Sequence, residues 1–225
     1  MNSKKIHAIG DTHGCVRHLR RLVEMCGNDM GSQLNEFVLM GDYIDRGPDS
    51  SATIEFLMDL QGENPDRVTC LLGNHEALLL SALDDPRNEA RWLRNGGNDT
   101  LRSYGVSNAS EIPATHIAWL ETLPTFYDDG LRLFVHAGVH PDRALNEQDD
   151  HDLINIREPF LSSEKDFGRL IVHGHTPTAN GLPDQRPNRL NIDTGAVFGR
   201  TLTAAVFTGD LVAPQKFFSV SSIFR

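Results

Sequence analysis

The sequence has only three cysteines and no long apolar run, and each shortage excludes a class of protein. Its longest apolar runs, such as 37–40 and 77–80, are far shorter than the roughly 18 residues of a membrane-spanning helix. Its N-terminal residues lack the apolar segment of an export signal. Cys15, Cys26 and Cys70 are odd in number and widely spaced, which excludes a disulfide framework and a CxxC metal site. We therefore predict a cytoplasmic protein with no membrane partner.

Positive charge is scarce as well. Lysine and arginine together number 21 against 31 acidic residues, which gives a formal net charge of -10. Nucleic acid selects for basic patches, so we expect no nucleic-acid partner. The 39% hydrophobic and 23% charged residues are typical of a globular protein that buries a large core. We predict a single catalytic domain over residues 1–225. The composition alone does not explain why the sequence contains ten histidines.

Strand and helix patterns alternate along the chain, which predicts an α/β fold. The segment 88–123 has further helical patterns broken by glycines, and we expect it to form a small helical cap. The segments 142–152 and 176–188 are predicted to be long loops. The last four strands are predicted to form a second, more antiparallel sheet. The predicted strands are 5–10, 36–40, 67–72, 131–135, 169–172, 189–192 and 202–207, and the predicted helices are 16–26, 50–60 and 76–83.

Five predicted strands run directly into clusters of carboxylate, imidazole or carboxamide side chains. In an open α/β sheet, the carboxyl ends of parallel strands meet at one crevice, where ligands bind. Glycines in these clusters allow sharp turns and a close approach of the backbone to a small ligand. The clusters are GDTHG at 10–14, GDYIDRG at 41–47, GNHE at 73–76, HAGVH at 136–140 and HGHT at 173–176.

The clusters supply oxygen and nitrogen ligands in a mixture that suits Mn, Fe, Zn or Co better than Mg or Ca. Six candidate ligands are too many for one four-coordinate structural site and indicate a two-metal centre. Such a centre clamps the attacking and leaving oxygens of a phosphoryl displacement and generates hydroxide near neutral pH. The sequence therefore predicts hydrolysis of a phosphate ester. The six candidates are Asp11, His13, Asp42, Asn74, His136 and His175.

The five clusters, in this order, resemble the phosphoprotein phosphatase branch of the calcineurin-like metallophosphoesterases. The resemblance spans residues 10–176 and implies two packed mixed β-sheets flanked by helices. It implies that Asp11 and His13 bind a first divalent ion and that Asn74, His136 and His175 bind a second. Asp42 would bridge the two ions, for which Mn is the first choice and Fe, Zn, Ni or Co are alternatives.

The same resemblance assigns roles in catalysis. Arg46 and Arg157 correspond to arginines that grip the phosphate, a role that suits the bidentate guanidinium group. His75 corresponds to the general acid that protonates the leaving oxygen, and Asp45 to the carboxylate that orients it. The implied reaction is direct attack of a metal-bridging hydroxide on a phosphate monoester, with phosphoserine or phosphothreonine in proteins as the first substrate class.

Three alternatives remain open from the sequence. Many protein-directed members carry an arginine where this chain has Leu72, whereas leucine there is typical of diadenosine tetraphosphatases, so a small phosphate ester is the alternative substrate. Those tetraphosphatases carry GNHD, however, where this chain has GNHE with Glu76. His173 competes with His175 as the metal ligand. A non-catalytic scaffold is the third hypothesis, although all six ligands are retained. The other histidines and the segment 193–195 receive no chemical role.

Overall fold

The computed structural model describes residues 4–29, 35–209 and 211–221. Part of the export-signal prediction concerns residues 1–3, which lie outside these ranges. The described residues form two five-stranded sheets, as expected for the predicted α/β fold. The first has the strand order β10-β9-β1-β2-β3, with β1 Lys5–Ile9, β2 Asn35–Leu39, β3 Val68–Cys70, β9 Thr201–Thr208 and β10 Lys216–Ser221. The second has the order β4-β5-β6-β8-β7, with β4 Phe126–Asp128, β5 Arg132–Val135, β6 Leu170–His173, β7 Asp184–Gln185 and β8 Arg189–Asn191.

Both sheets are mixed, and each contains three parallel strands. In the first sheet β1, β2 and β3 run parallel, while β9 pairs antiparallel with β1 and β10 pairs antiparallel with β9. In the second sheet β5, β6 and β8 run parallel, and β4 and β7 are antiparallel edge strands. The polar clusters of the sequence follow the carboxyl ends of the parallel strands, so the topology brings them together.

The two sheets pack face to face over an apolar core. Alternation along β1 turns Ile6 and Ala8 toward the second sheet and leaves His7 and Ile9 on the opposite face. Phe134 of β5 and Phe207 of β9 meet edge to face with their ring centroids 5.8 Å apart. This buried layer fixes the two sheets relative to each other and thereby fixes the strand ends that carry the site.

Helices cover the outer face of the first sheet. In the first helix the buried residues Val16, Leu19, Leu22 and Cys26 recur every three or four positions, as predicted from the sequence. Residues 153–160 cover the outer face of the second sheet. No helix among the described ranges is long and apolar enough to cross a membrane. The helices are α1 Val16–Asn28, α2 Ser50–Glu63, α3 Asn74–Asp84, α4 Glu89–Trp92, α5 Asn98–Tyr104, α6 Ala114–Glu121 and α7 Asp150–Asn155.

Several details of the sequence prediction are wrong. The second sheet is not more antiparallel than the first, because β5, β6 and β8, three of the four strands predicted for it, run parallel. The strand predicted at 202–207 belongs to the first sheet, because it returns along β1 with Ala204 opposite Ile9. The short edge strand β4 and the exposed edge strand β10 were not predicted. The segment 142–152 is not a plain loop, since it contains a 3₁₀ turn and the start of α7, whose first turn is capped by the Asp149 side chain. The segment 176–188 contains β7.

Candidate metal centre

Asp42 lies at the middle of the candidate site, in the loop that follows β2. Its Oδ2 atom lies 3.4 Å from Nε2 of His13, and its Oδ1 atom lies 3.3 Å from Nε2 of His136. His13 comes from the loop after β1, whereas His136 follows β5 of the other sheet. The two oxygens of one buried carboxylate therefore face imidazole groups supplied by the two sheets.

Backbone carbonyls orient both imidazole rings. Nδ1 of His13 donates to the carbonyl of Ile44 at 2.8 Å, and Nδ1 of His136 donates to the carbonyl of Met40 at 2.7 Å. A carbonyl can only accept, so the Nδ1 atom of each ring carries a proton. This arrangement turns Nε2 of each ring toward Asp42, which is the usual way in which a protein orients a histidine ligand for a metal.

Asn74 and His175 complete the group around His136. Oδ1 of Asn74 lies 3.0 Å from Nε2 of His136 and 2.7 Å from Nδ1 of His175. Asn74 is the first residue of α3 and follows β3, while His175 follows β6. One carboxylate oxygen, one carboxamide oxygen and two imidazole nitrogens thus converge, which is a donor set suited to a borderline divalent cation.

A buried carboxylate oxygen of Asp11 shows whether the site could accommodate a cation. Oδ2 of Asp11 accepts from the backbone N–H of His175 at 2.9 Å, but its buried Oδ1 has no hydrogen-bond partner among the described residues. A buried carboxylate oxygen without a donor is costly unless a cation neutralises it. Burial and the charge of Asp193 raise the pKa of Asp11 well above its usual value, so the isolated carboxylate is disfavoured. The residues present therefore fit a bound cation.

The charges of the histidines support the same conclusion. Burial lowers the pKa of His13 to about 3, and burial together with the charge of His136 lowers that of His175 to about 3, so both rings stay neutral. Burial opposes protonation of His136, but the charge of Asp42 raises its pKa to about 10. Nε2 of His136 lies 3.3 Å from Oδ1 of Asp42 and 3.0 Å from Oδ1 of Asn74, and a metal ion would take the place of its proton on binding.

His75 and Asp45 form a buried pair beside this cluster. Nδ1 of His75 lies 2.7 Å from Oδ2 of Asp45, and its Nε2 lies 3.9 Å from Oδ2 of Asp42. Burial lowers the pKa of His75, but the charge of Asp42 and the hydrogen bond to Asp45 outweigh it and raise the pKa above 6.5. By distance His75 also groups with His13 and Asp42 as a possible ligand. Its Asp45 bond and its raised pKa favour a protonated ring instead.

The two predicted arginines occupy different positions. Nη1 of Arg46 donates to Nε2 of His13 at 2.9 Å, so its guanidinium group reaches the predicted first-metal side of the cluster. Arg157 is exposed and lines a cleft of about 460 Å³ together with Asn74 and His175. The structure thus places one guanidinium group on each side of the ligand cluster.

Backbone strain is concentrated at the site. A positive φ angle is uncommon for residues other than glycine and persists where the surrounding structure imposes it. Among the described residues, those other than glycine with a positive φ angle all belong to the predicted set. They are His13 at 42°, Asp42 at 52°, Asp45 at 71°, Arg46 at 66° and His175 at 65°.

Glu76 is a functional residue that the sequence analysis missed. Its buried carboxylate accepts backbone N–H bonds from Asp42 at 2.9 Å, Tyr43 at 2.8 Å, Ile44 at 3.2 Å and Gly73 at 3.1 Å. These bonds tie the loop that carries Asp42 to the first turn of α3. The sequence held part of this signal, because a glutamate three residues after an N-cap position can accept from the N-cap N–H, as Glu76 does from Gly73, although glycine has no side chain to complete a capping box.

The segment 88–123 contributes two further side chains that the sequence analysis did not identify. Trp92 donates from Nε1 to both carboxylate oxygens of Asp45 at 3.1 Å, and Thr100 donates from Oγ1 to Oδ1 at 2.6 Å. Both residues are fully buried. The helical segment therefore orients the acidic partner of His75, a tertiary contact without a local sequence signal.

Two residues near the second sheet, Asp193 and His173, are buried beside the site. Asp193, which received no chemical role, is buried after β8, and its charge helps to raise the pKa of Asp11. It also accepts from the backbone N–H of Gly195 at 3.0 Å. His173 is buried against Phe160, with ring centroids 5.0 Å apart, whereas it is His175 that contacts Asn74. The geometry favours His175 over His173 as the ligand.

Comparisons of this sequence with known proteins agree on one family. The family model of calcineurin-like phosphoesterases matches residues 4–215. The symmetrical bis(5'-nucleosyl)-tetraphosphatase of Aromatoleum aromaticum is 36% identical over 138 residues, which cover 60% of this chain and 45% of that protein. The match thus spans less than half of that relative's length. Serine/threonine-protein phosphatase 1 of Salmonella typhimurium is 29% identical over 212 residues, which cover 91% of this chain and 92% of that protein.

The fold is also found among solved structures. A crystal structure provisionally assigned as a diadenosine tetraphosphatase superposes with a TM-score of 0.71 at 23% identity, and the match covers 98% of this chain and 95% of that chain. A yeast serine/threonine phosphatase similar to human PP5 superposes with a TM-score of 0.67 at 16% identity. At these identities the likeness is one of fold, and it agrees with the two packed mixed sheets described above.

Proposed function

Since this chain belongs to the calcineurin-like phosphoesterase family, we propose that it is a hydrolase that cleaves a phosphate ester or anhydride with two divalent metal ions, Mn²⁺ being the first choice. Asp11, His13 and Asp42 would hold the first ion, and Asp42, Asn74, His136 and His175 the second. When bound, the ions supply an activated water and neutralise the charge of the phosphate. The domain we propose is a single catalytic one that includes the helical segment 88–123.

One observation carries this proposal. The two oxygens of Asp42 face His13 at 3.4 Å and His136 at 3.3 Å, from opposite sheets. A carboxylate that faced a single ligand group would suit a single ion. Here the second oxygen faces a larger group, in which the Asn74 carboxamide and the His175 imidazole accompany His136. A carboxylate shared in this way suits a bridge between two ions.

The chain's own side chains supply the rest of the proposed chemistry. Arg46 and Arg157 would bind oxygens of the phosphate from the two sides of the cluster, where their charges stabilise the negative transition state. His75, whose Nδ1 is hydrogen-bonded to Oδ2 of Asp45 at 2.7 Å, would donate its Nε2 proton to the leaving oxygen. Asp45 itself is held in place by Trp92 and Thr100, so the proton donor is positioned before substrate binds.

Dinucleoside tetraphosphate is the substrate class we propose first. The more identical of the two relatives above is a bis(5'-nucleosyl)-tetraphosphatase. The side chain of Leu72, at the position where many protein-directed members carry arginine, packs against apolar core residues and has no polar group to offer a substrate. This reverses the order of substrates expected from the sequence, in which phosphoprotein came first. Phosphoserine and phosphothreonine in proteins are the second candidate, since the Salmonella phosphatase matches over nearly its whole length.

A panel of substrates decides between these classes. The Mn²⁺-loaded protein would be given diadenosine tetraphosphate, a phosphoserine peptide and a phosphothreonine peptide side by side, and kcat/KM measured for each. We expect the tetraphosphate to have the highest kcat/KM. A higher value for the peptides would favour the second candidate, and no turnover of any phosphate compound would refute the hydrolase proposal. An Asp11→Asn preparation, purified in parallel, controls for contaminating phosphatases.

A further inference from the structure

Phe198 is an exposed aromatic residue at the edge of the metal cluster, and the chemistry proposed above does not use it. The residue is 56% exposed. The guanidinium carbon of Arg46 lies over one face of the ring, 5.9 Å from its centroid, and Arg46 in turn donates to Nε2 of His13 at 2.9 Å. The ring is therefore separated from a candidate metal ligand by one arginine side chain.

The turn that carries Phe198 is held in place by the fold. It is the 3₁₀ turn Ala196–Phe198, which lies between Gly195 at φ 77° and Gly199 at φ 78°. The N–H of Phe198 donates to the carbonyl of Gly195 at 3.0 Å, and Ala196 is buried. The backbone of this turn thus holds a large apolar ring at the edge of the polar site, where a group attached to a bound phosphate could reach it.

We propose that Phe198 is a stacking platform for a nucleobase of the substrate and so determines specificity, an inference that rests on the dinucleoside tetraphosphate function proposed above. The face of an aromatic ring binds the face of a base, and here the base would take the face that Arg46 does not cover, while Arg46 binds phosphate oxygens. One nucleotide would span the two contacts, with its sugar between them. A phosphoserine has no planar group fixed to its phosphate in this way, so the pairing of ring and guanidinium group favours a nucleotide.

Binding measured by titration calorimetry tests this contact independently of turnover. The Mn²⁺-loaded protein would be titrated with adenosine 5'-monophosphate and with ribose 5-phosphate, which lacks the base. Because stacking of one base is worth about 5- to 150-fold in affinity, we expect Phe198→Ala to weaken adenosine monophosphate binding by about that factor. We expect Phe198→Trp to preserve the affinity for adenosine monophosphate. The ratio of that affinity to the affinity for ribose 5-phosphate should fall toward one in the alanine variant only. Phe217→Ala, at an exposed phenylalanine on β10, is the matched control.

The outcomes separate this inference from the proposed function. Equal affinities of the unaltered protein for the two ligands, or an unchanged affinity of Phe198→Ala for adenosine monophosphate, would overturn the stacking platform. If the base-dependent affinity is lost in Phe198→Ala but diadenosine tetraphosphate is not hydrolysed, the platform stands and the substrate proposed for the enzyme is wrong. If the tetraphosphate is hydrolysed and Phe198→Ala binds adenosine monophosphate normally, the substrate stands and the platform is wrong.

Discussion

Replacing Glu76 by glutamine should weaken the fold through the loop that carries Asp42. The carboxylate accepts four backbone N–H bonds, two on each oxygen. A glutamine keeps one acceptor oxygen and presents its NH₂ group to the other two N–H donors, which are then buried without an acceptor. At about 1–3 kcal/mol for each unsatisfied buried group, the free energy of unfolding should fall by about 2–6 kcal/mol.

Urea denaturation of the metal-free protein, followed by tryptophan fluorescence, measures this loss without a contribution from metal binding. The control is Glu121→Gln at the exposed end of α6, which should change the free energy of unfolding by less than about 0.5 kcal/mol. A Glu76→Gln protein as stable as this control would refute the reasoning, because it would mean that the four bonds do not hold the Asp42 loop.

Two further predictions concern the metal ligands and the proton donor. In Gly174→Ala the new Cβ atom would lie 2.0 Å from Oδ1 of Asp11, so elemental analysis should find less bound Mn²⁺. The control Gly62→Ala, whose Cβ atom would have no neighbour within 4 Å, should leave the Mn²⁺ content unchanged. A normal metal content in Gly174→Ala would contradict the assignment of Asp11. Activity that requires protonated His75 should fall as pH rises through its pKa, which lies above 6.5. Asp45→Asn removes a charge that raises this pKa, so the alkaline limb of the kcat/KM profile should move to lower pH and the rate should fall by about 10²- to 10⁴-fold; an unmoved limb would exclude His75 as the acid.

The sequence predicted which polar side chains the structure brings together and the two mixed sheets, but it did not predict the order of the strands. Glycine-flanked polar residues directly after apolar strands mark strand ends, and in an α/β fold these ends converge. Asp11, Asp42 and His136 could therefore be placed together although they are far apart in sequence. The pairing of β9 with β1 could not be predicted, because register between distant strands depends on packing of the whole chain and not on local pattern.

Contacts made by residues outside the five polar clusters could not be predicted from the sequence either. Trp92 and Thr100 reach Asp45 only because the helical segment packs beside the first sheet, and neither residue stands in a pattern that indicates this contact. Glu76 is different, since its position in α3 carried a capping signal whose wider role, the binding of the Asp42 loop, became visible only in three dimensions. Local pattern thus identified the candidate ligands, while the side chains that hold them were found in the tertiary structure.

The bridging role of Asp42 is the central claim, and metal stoichiometry tests it most directly. The protein would be loaded with Mn²⁺, freed of excess metal by gel filtration, and analysed for manganese per chain together with its electron paramagnetic resonance spectrum. The account predicts two manganese ions per chain with the spectrum of a coupled pair, and loss of the coupling and of at least one ion in Asp42→Asn. A single ion in the unaltered protein, or an intact coupled pair in Asp42→Asn, would contradict it.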